Sequence, residues 1–179
     1  MMRRLIYPNP SKTTPDRHAP SNGNVKTLVL AVGNPLRGDD GAGIEIVASL
    51  ATQPCLPKSI DLLDGGIAGM KTLSLLEGYD RVFIVDTADL GLNPGEWVCL
   101  TLDQLIEHTE SSVAQVTMHN AGLVDALIIG RVLDILPKTI SIYAIQPLET
   151  DRHMGLSSVV RRSIPAICES IITEIDGIG

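Results

Sequence analysis

The apolar run Leu28-Val-Leu-Ala-Val32, followed at once by Gly33-Asn-Pro-Leu-Arg-Gly-Asp-Asp-Gly-Ala-Gly43, constrains this chain more than any other stretch. An uninterrupted aliphatic run of this length reads as a strand buried on both faces. Glycines, Asn34 and Pro35 then turn the chain, and Ile44, Val47, Ala48 and Ala51 recur at helical spacing. The order is strand, tight loop, helix. In an open α/β sheet such a loop lies at the carboxyl end of a strand, where these folds place their ligands.

The loop's residues say which ligand. Gly33 and Gly38 have the glycine spacing of a phosphate loop, but Asp39 and Asp40 stand where that loop needs Lys and then Ser or Thr. G-x-G-x-x-G is also missing, so a dinucleotide fingerprint is not present. Two carboxylates repel phosphate and attract a cation. The competing structural role is a helix cap, for which Asp is a favoured residue.

The 179 residues suffice for one domain with a full core. Hydrophobic residues make up 44% but aromatic residues only 3%, so the core is aliphatic, which favours an α/β layer structure over a β-sandwich. Few rings argue against flavin or single-stranded nucleic acid, and a net charge of −7 argues against a nucleic-acid surface. Cys55, Cys99 and Cys168 lack C-x-x-C pairing and read as reduced, core-filling thiols of a cytoplasmic protein. No apolar run is long enough to cross a bilayer, and no secretory signal is expected at the start.

Residues 1–25, rich in proline and polar side chains, are expected to form a mobile extension, with His18 solvated, ahead of a single domain over residues 26–179. Gln53 to Pro57 breaks the first helix. Ser59–Leu63 reads as a second strand running into Asp64-Gly-Gly-Ile-Ala-Gly-Met70 and a helical run from Met70 to Leu76. Asp64 thus repeats the pattern of a carboxylate at a strand end, with an Asp-Gly turn as its competing role. Arg81–Asp86 is a strand that also ends on an acid, and Asn93-Pro-Gly95 turns the chain into a strand over Glu96–Leu102. Asp103 to Gln115 is polar and predicts an exposed loop carrying His108. A helix is expected from Thr117 to Leu136 with His119 in its first turn, where the helix dipole favours a neutral imidazole. Thr139–Ile145 is a strand, and a last helix buries Val160, Ile164, Ile167, Ile171 and Ile175, with a kink or break at Pro165. Arg161 and Arg162 fall on its solvated side.

Asp40, Asp64 and His119 are the side chains that such strand and helix ends could bring together. Two carboxylates and an imidazole suit a divalent transition ion, and three protein ligands leave coordination positions open. An ion held that way can polarise a carbonyl or acidify bound water, as amide hydrolysis requires. A proton handled by Asp40 or Asp64 and attack by a metal-bound hydroxide both remain open on these residues. Asp39, Asp86, Asn34 and Gln146 are candidates for hydrogen bonds around that site.

Gly33–Gly43, Asp64–Met70, Ile84-Val-Asp86, His119-Asn-Ala-Gly-Leu123 and Ile145-Gln-Pro147 with Gly155-Leu-Ser157 resemble, in order, the motif series of the hydrogenase maturation endopeptidases. The resemblance covers roughly residues 27–175, and its first motif is the most specific. It implies a three-layer α/β/α sandwich around a mostly parallel, twisted sheet of about five strands. It also implies removal of a C-terminal extension from the large-subunit precursor of a nickel-iron hydrogenase once nickel is inserted. The family's metal-contacting positions are taken to fall on Asp40, Asp64 and His119, as catalytic and metal-binding residues, with nickel presented by the substrate. The expected partner is that precursor, with no nucleic acid or membrane and a monomeric free protein. Two rival readings use the same chain differently: a non-catalytic nickel-binding accessory protein, and a flavodoxin-like nucleotide binder.

Overall fold

The computed structural model describes residues 25–67, 69–111 and 121–177. Residues 1–24 of the proposed N-terminal extension, His18 among them, therefore lie outside the described residues, and so does His119. Strands β1 (Thr27–Ala31), β2 (Asp61–Asp64), β3 (Arg81–Thr87), β4 (Trp97–Thr101) and β5 (Thr139–Ile145) form one sheet in the order β2-β1-β3-β5-β4. All pairings are parallel except β4 with β5.

Successive strand residues point to opposite faces, and the chain fills both. Val29, Phe83, Val85 and Tyr143 face helices α1 (Ala42–Ala51) and α5 (Ser158–Asp176), burying Ile46, Leu50, Ile164, Ile167 and Ile171. Leu28, Leu30, Ile84 and Ile142 face α2 (Lys71–Leu76), α3 (Leu102–Ser111) and α4 (Ala121–Val132), burying Leu76, Leu105, Leu123 and Leu127. The result is the expected three-layer α/β/α sandwich. Among the described residues, no helix is long and apolar enough to cross a membrane.

Five local expectations change. The buried side of α1 is Ala42, Gly43, Ile46, Val47 and Leu50, whereas Ile44, Ala48 and Ala51 are only partly buried. Gly43 causes this: a Cβ there would stand 2.6 Å from the Val85 carbonyl oxygen and 2.8 Å from that of Val32, so the bare face of the helix lies against the strand ends. Polar residues 102–111 form α3 rather than a loop, and His108 is exposed on that helix. A capping box starts it: Gln104 N–H donates to Thr101 Oγ1 at 3.3 Å and Thr101 N–H to Gln104 Oε1 at 2.9 Å. Helix α5 continues through Pro165, which is exposed, so no break occurs. Of the three free cysteines only Cys168 is buried.

Helix α4 stops at Val132, before Pro137. Asp134 takes the left-handed conformation (φ 54°), its N–H bonding Arg131 O and the Ile135 N–H bonding Gly130 O, a Schellman closure that leaves Pro137 to the following turn. Thr139–Ile145 and the exposed Arg161 and Arg162 agree with the sequence reading.

Candidate active site at the carboxyl edge of the sheet

Chain direction sets the location. From β1 the chain crosses to β2 on one side and then to β3 on the other, so a crevice opens between the carboxyl ends of β1 and β3. The loop after β1 fills its mouth, and Gly33 makes the turn possible. With φ 136° it occupies a region that favours glycine, and a Cβ would fall 1.9 Å from the Asp40 carbonyl oxygen.

Asp39 and Asp40 lie in a short 3-10 turn, Gly38–Gly41, and are both buried. Neither side chain caps the turn or helix α1. Asp39 faces the β5–α5 loop. Its Oδ2 accepts the N–H groups of Leu148 (2.9 Å) and Glu149 (3.3 Å), and its Oδ1 that of Ser157 (2.7 Å). Asp40 faces the crevice. Its Oδ2 accepts the Asn34 N–H at 3.1 Å and its Oδ1 the Thr87 hydroxyl at 3.2 Å. Asn34 in turn accepts the Leu36 N–H on its own side-chain oxygen at 3.0 Å, which shapes the loop.

Asp64 ends β2 opposite Ala31 of β1. Its Oδ1 accepts the Gly66 N–H at 2.9 Å, so the Asp-Gly turn role is real for that oxygen. The Gly66 carbonyl then receives the Gly33 N–H at 3.0 Å, and the Cβ position of Gly33 is 3.6 Å from Asp40 Oδ1. Asp40 and Asp64 thus stand on adjoining loops of one rim. The amino end of α4 approaches the same rim, since a Cβ on Gly122 would stand 3.0 Å from Gly69 Cα. Among the described residues, no three His, Cys, Asp or Glu side chains are grouped so as to hold a metal ion.

Asp86, at the end of β3, has no exposed surface. Its Oδ1 accepts the Thr87 N–H at 2.8 Å, while its buried Oδ2 has no hydrogen-bond partner among the described residues. Burial pushes its carboxyl up to about 7; the Thr87 N–H opposes the rise and the nearby Asp40 charge adds to it. Thr87, absent from the sequence-derived candidates, links the acids: its N–H holds Asp86 and its hydroxyl holds Asp40. Its only sequence signal was its place directly after a strand-ending acid. Gln146 is also buried and fastens the β3–β4 connection, accepting the N–H groups of Leu90 (2.7 Å) and Leu92 (3.2 Å).

A dry junction holding two carboxylates, one with an orphaned oxygen, favours a proton or a cation. Comparisons with known proteins identify the family. The family model HycI, hydrogenase maturation protease, matches residues 44–174. The hydrogenase 2 maturation protease of Escherichia coli (strain K12) is 28% identical over 151 residues, covering 84% of this chain and 91% of that protein. HupD of Rhodobacter capsulatus, a hydrogenase expression/formation protein, is 28% identical over 130 residues, covering 73% of this chain but 61% of that relative's length. Among solved structures, the E. coli hydrogenase maturating endopeptidase HybD superposes with a TM-score of 0.73 at 28% identity, covering 87% of this chain and 94% of that one. The [NiFe] hydrogenase maturation protease HybD of Thermococcus kodakarensis gives 0.66 at 26% identity, covering 82% and 97%. A family match over most of the domain, joined to a shared three-layer fold, establishes that this chain belongs to the hydrogenase maturation protease family.

Proposed function

We propose that this chain is an endopeptidase that removes the C-terminal extension of a nickel-iron hydrogenase large-subunit precursor after nickel insertion. Nickel carried by the precursor is met by Asp40, Asp64 and His119, which read its presence and bring the scissile bond to the crevice. The observation that carries this reading is the acidic junction of β1 and β3, where Asp40 and the orphaned oxygen of Asp86 share a buried space. Asp86 is accordingly a further acceptor beside Asp40, while Asp64 has one oxygen committed to its turn.

The ion supplies Lewis-acid polarisation of the amide carbonyl when it is present. The chain's own residues do the rest. Thr87 and the Asn34 N–H fix the two oxygens of Asp40. Asp86 holds a proton near neutrality and so limits charge repulsion before substrate arrives. A cytoplasmic setting accords with the free thiols of Cys55, Cys99 and Cys168.

The test is cleavage of a matched precursor, with and without nickel, followed as a mass loss. Wild-type protein cuts only the nickel-loaded form, and Asp40→Ala and His119→Ala abolish cutting. Paired variants Asp64→Asn and Asp86→Asn show which acid accompanies Asp40. A precursor left uncut by wild-type protein but still bound through nickel would favour the accessory-protein reading and overturn this one.

A further inference from the structure

Helix α4 is apolar on two sides. Leu123 and Leu127 are buried against the sheet and its neighbouring helices, whereas Ile128, Ile129, Val132, Leu133 and Ile135 are exposed, Val132 by 80% and Leu133 by 59%. Ile128 with Val132 and Ile129 with Leu133 are four residues apart, so the two pairs stand side by side on the helix surface. The closing turn keeps Ile135 at their end, its N–H on the Gly130 carbonyl at 3.0 Å. Apolar side chains exposed singly are ordinary; five in one continuous strip mark a contact site. Exposed carboxylates edge the strip, Asp125 one turn before Ile129 and Asp134 in the closing turn.

The chain enters the fold at the same end of the sheet. The Lys26 carbonyl accepts the Asp80 N–H at 2.9 Å, and the Asp80 carbonyl accepts the Thr139 N–H at 3.3 Å. The start of β1 therefore lies two strands from the start of β5, a separation of about 10 Å. Thr139 in turn is four residues beyond Ile135. Residues 1–24 attach at this point. They hold four basic side chains and one acidic one, in a chain of net charge −7. Within them the apolar run Leu5-Ile-Tyr7 directly follows Arg3 and Arg4. From Tyr7 to Val25 the chain can span up to about 60 Å, so reach does not limit where that run sits.

We propose that Arg3-Arg-Leu-Ile-Tyr7 docks on this strip of α4, with residues 8–24 as its tether. In an extended segment Leu5 and Tyr7 fall on one side about 7 Å apart, close to the roughly 6 Å that separates Ile128 from Val132 along the helix. Arg3 and Arg4 then meet Asp125 or Asp134, according to the direction in which the segment runs. Charge and shape agree, since a basic, apolar segment meets an apolar strip edged by acids. The strip ends at the amino edge of the sheet, opposite the crevice, so this contact is independent of the peptidase reading.

The test uses the full chain with a photo-crosslinking side chain in place of Ile6, irradiated when dilute and mapped by mass spectrometry. The expected product is an intramolecular link to residues 128–135. Val132→Ser with Leu133→Ser, both at exposed positions, should cut its yield about fivefold or more. Arg3→Gln with Arg4→Gln should cut it about twofold or more, an effect that added salt reproduces in the parent chain. Separately, binding of an apolar fluorescent dye to the full chain should rise about twofold or more in Leu5→Ser with Tyr7→Ser. Adding Val132→Ser with Leu133→Ser should remove that rise, because the uncovered strip is what the dye binds. Links to other parts of the chain, links between two copies, no link at all, or dye binding that does not move with Leu5→Ser and Tyr7→Ser would each overturn the assignment.

Discussion

The Thr87 hydroxyl donates to Asp40 Oδ1 at 3.2 Å, joining the end of β3 to the loop that follows β1. This bond crosses the point where the chain reverses its direction of travel along the sheet. With the Asn34 N–H on Oδ2, it leaves both oxygens of the Asp40 carboxylate held. Removing the hydroxyl with Thr87→Val keeps the shape and deletes the donor. A hydrogen bond to a charged group contributes about 1.5–3 kcal/mol, so kcat/KM on nickel-loaded precursor should fall by about tenfold or more. Thr87→Ser should restore most of it.

Asp86 makes stability depend on pH in a defined direction. Its folded value of about 7 lies above the ordinary value of 3.8, so between these the folded protein holds more protons than the unfolded chain. Stability from this group is complete below about 4 and is lost as pH rises through 7. Urea midpoints of metal-free protein should decline across that window, and Asp86→Asn should flatten the decline. A wild-type midpoint that rises steadily from pH 4 to 7, with Asp86→Asn unchanged, would contradict the assignment.

Asp39 serves the fold. Its carboxylate receives three backbone N–H groups of the β5–α5 loop, and Asp39→Ala strands those donors. An unsatisfied buried donor costs about 1–3 kcal/mol. Some regain water, so a loss of about 3 kcal/mol in urea denaturation is expected, together with faster proteolysis between residues 148 and 157. Intact resistance of that loop would show that other contacts hold it.

Gly33→Ala tests the turn itself. The left-handed φ and the 1.9 Å approach to the Asp40 carbonyl leave no room for a methyl group, so the loop must move. Thermal unfolding should occur at a markedly lower temperature, and precursor cleavage should be lost even where folded protein remains. Gly66→Ala, where no atom lies within 4 Å, tests φ alone and should be milder.

The sequence by itself determined the layers. Leu28–Val32 read as a doubly buried strand and Arg81–Asp86 and Thr139–Ile145 as further strands, and Asp64 and Asp86 stood at strand ends. It also carried the Thr101–Gln104 capping box, which the reading of Asp103 to Gln115 as a polar loop did not use. The face that α1 buries was decided by the tertiary structure, because the close approach of Gly43 to the Val85 and Val32 carbonyls involves another strand. Pro165 is tolerated for a similar reason: it lies on the exposed side of a helix anchored by Ile164, Ile167 and Ile171. Roles among the acids were likewise set by the fold. Asp39 and Asp40 follow β1 in its loop and Asp64 and Asp86 lie at the ends of β2 and β3, yet one clamps a distant loop, one faces the crevice, one closes a turn and one keeps an orphaned oxygen. Local patterns record which groups are polar; hydrogen-bond partners up to 118 residues away decide what each carboxylate does.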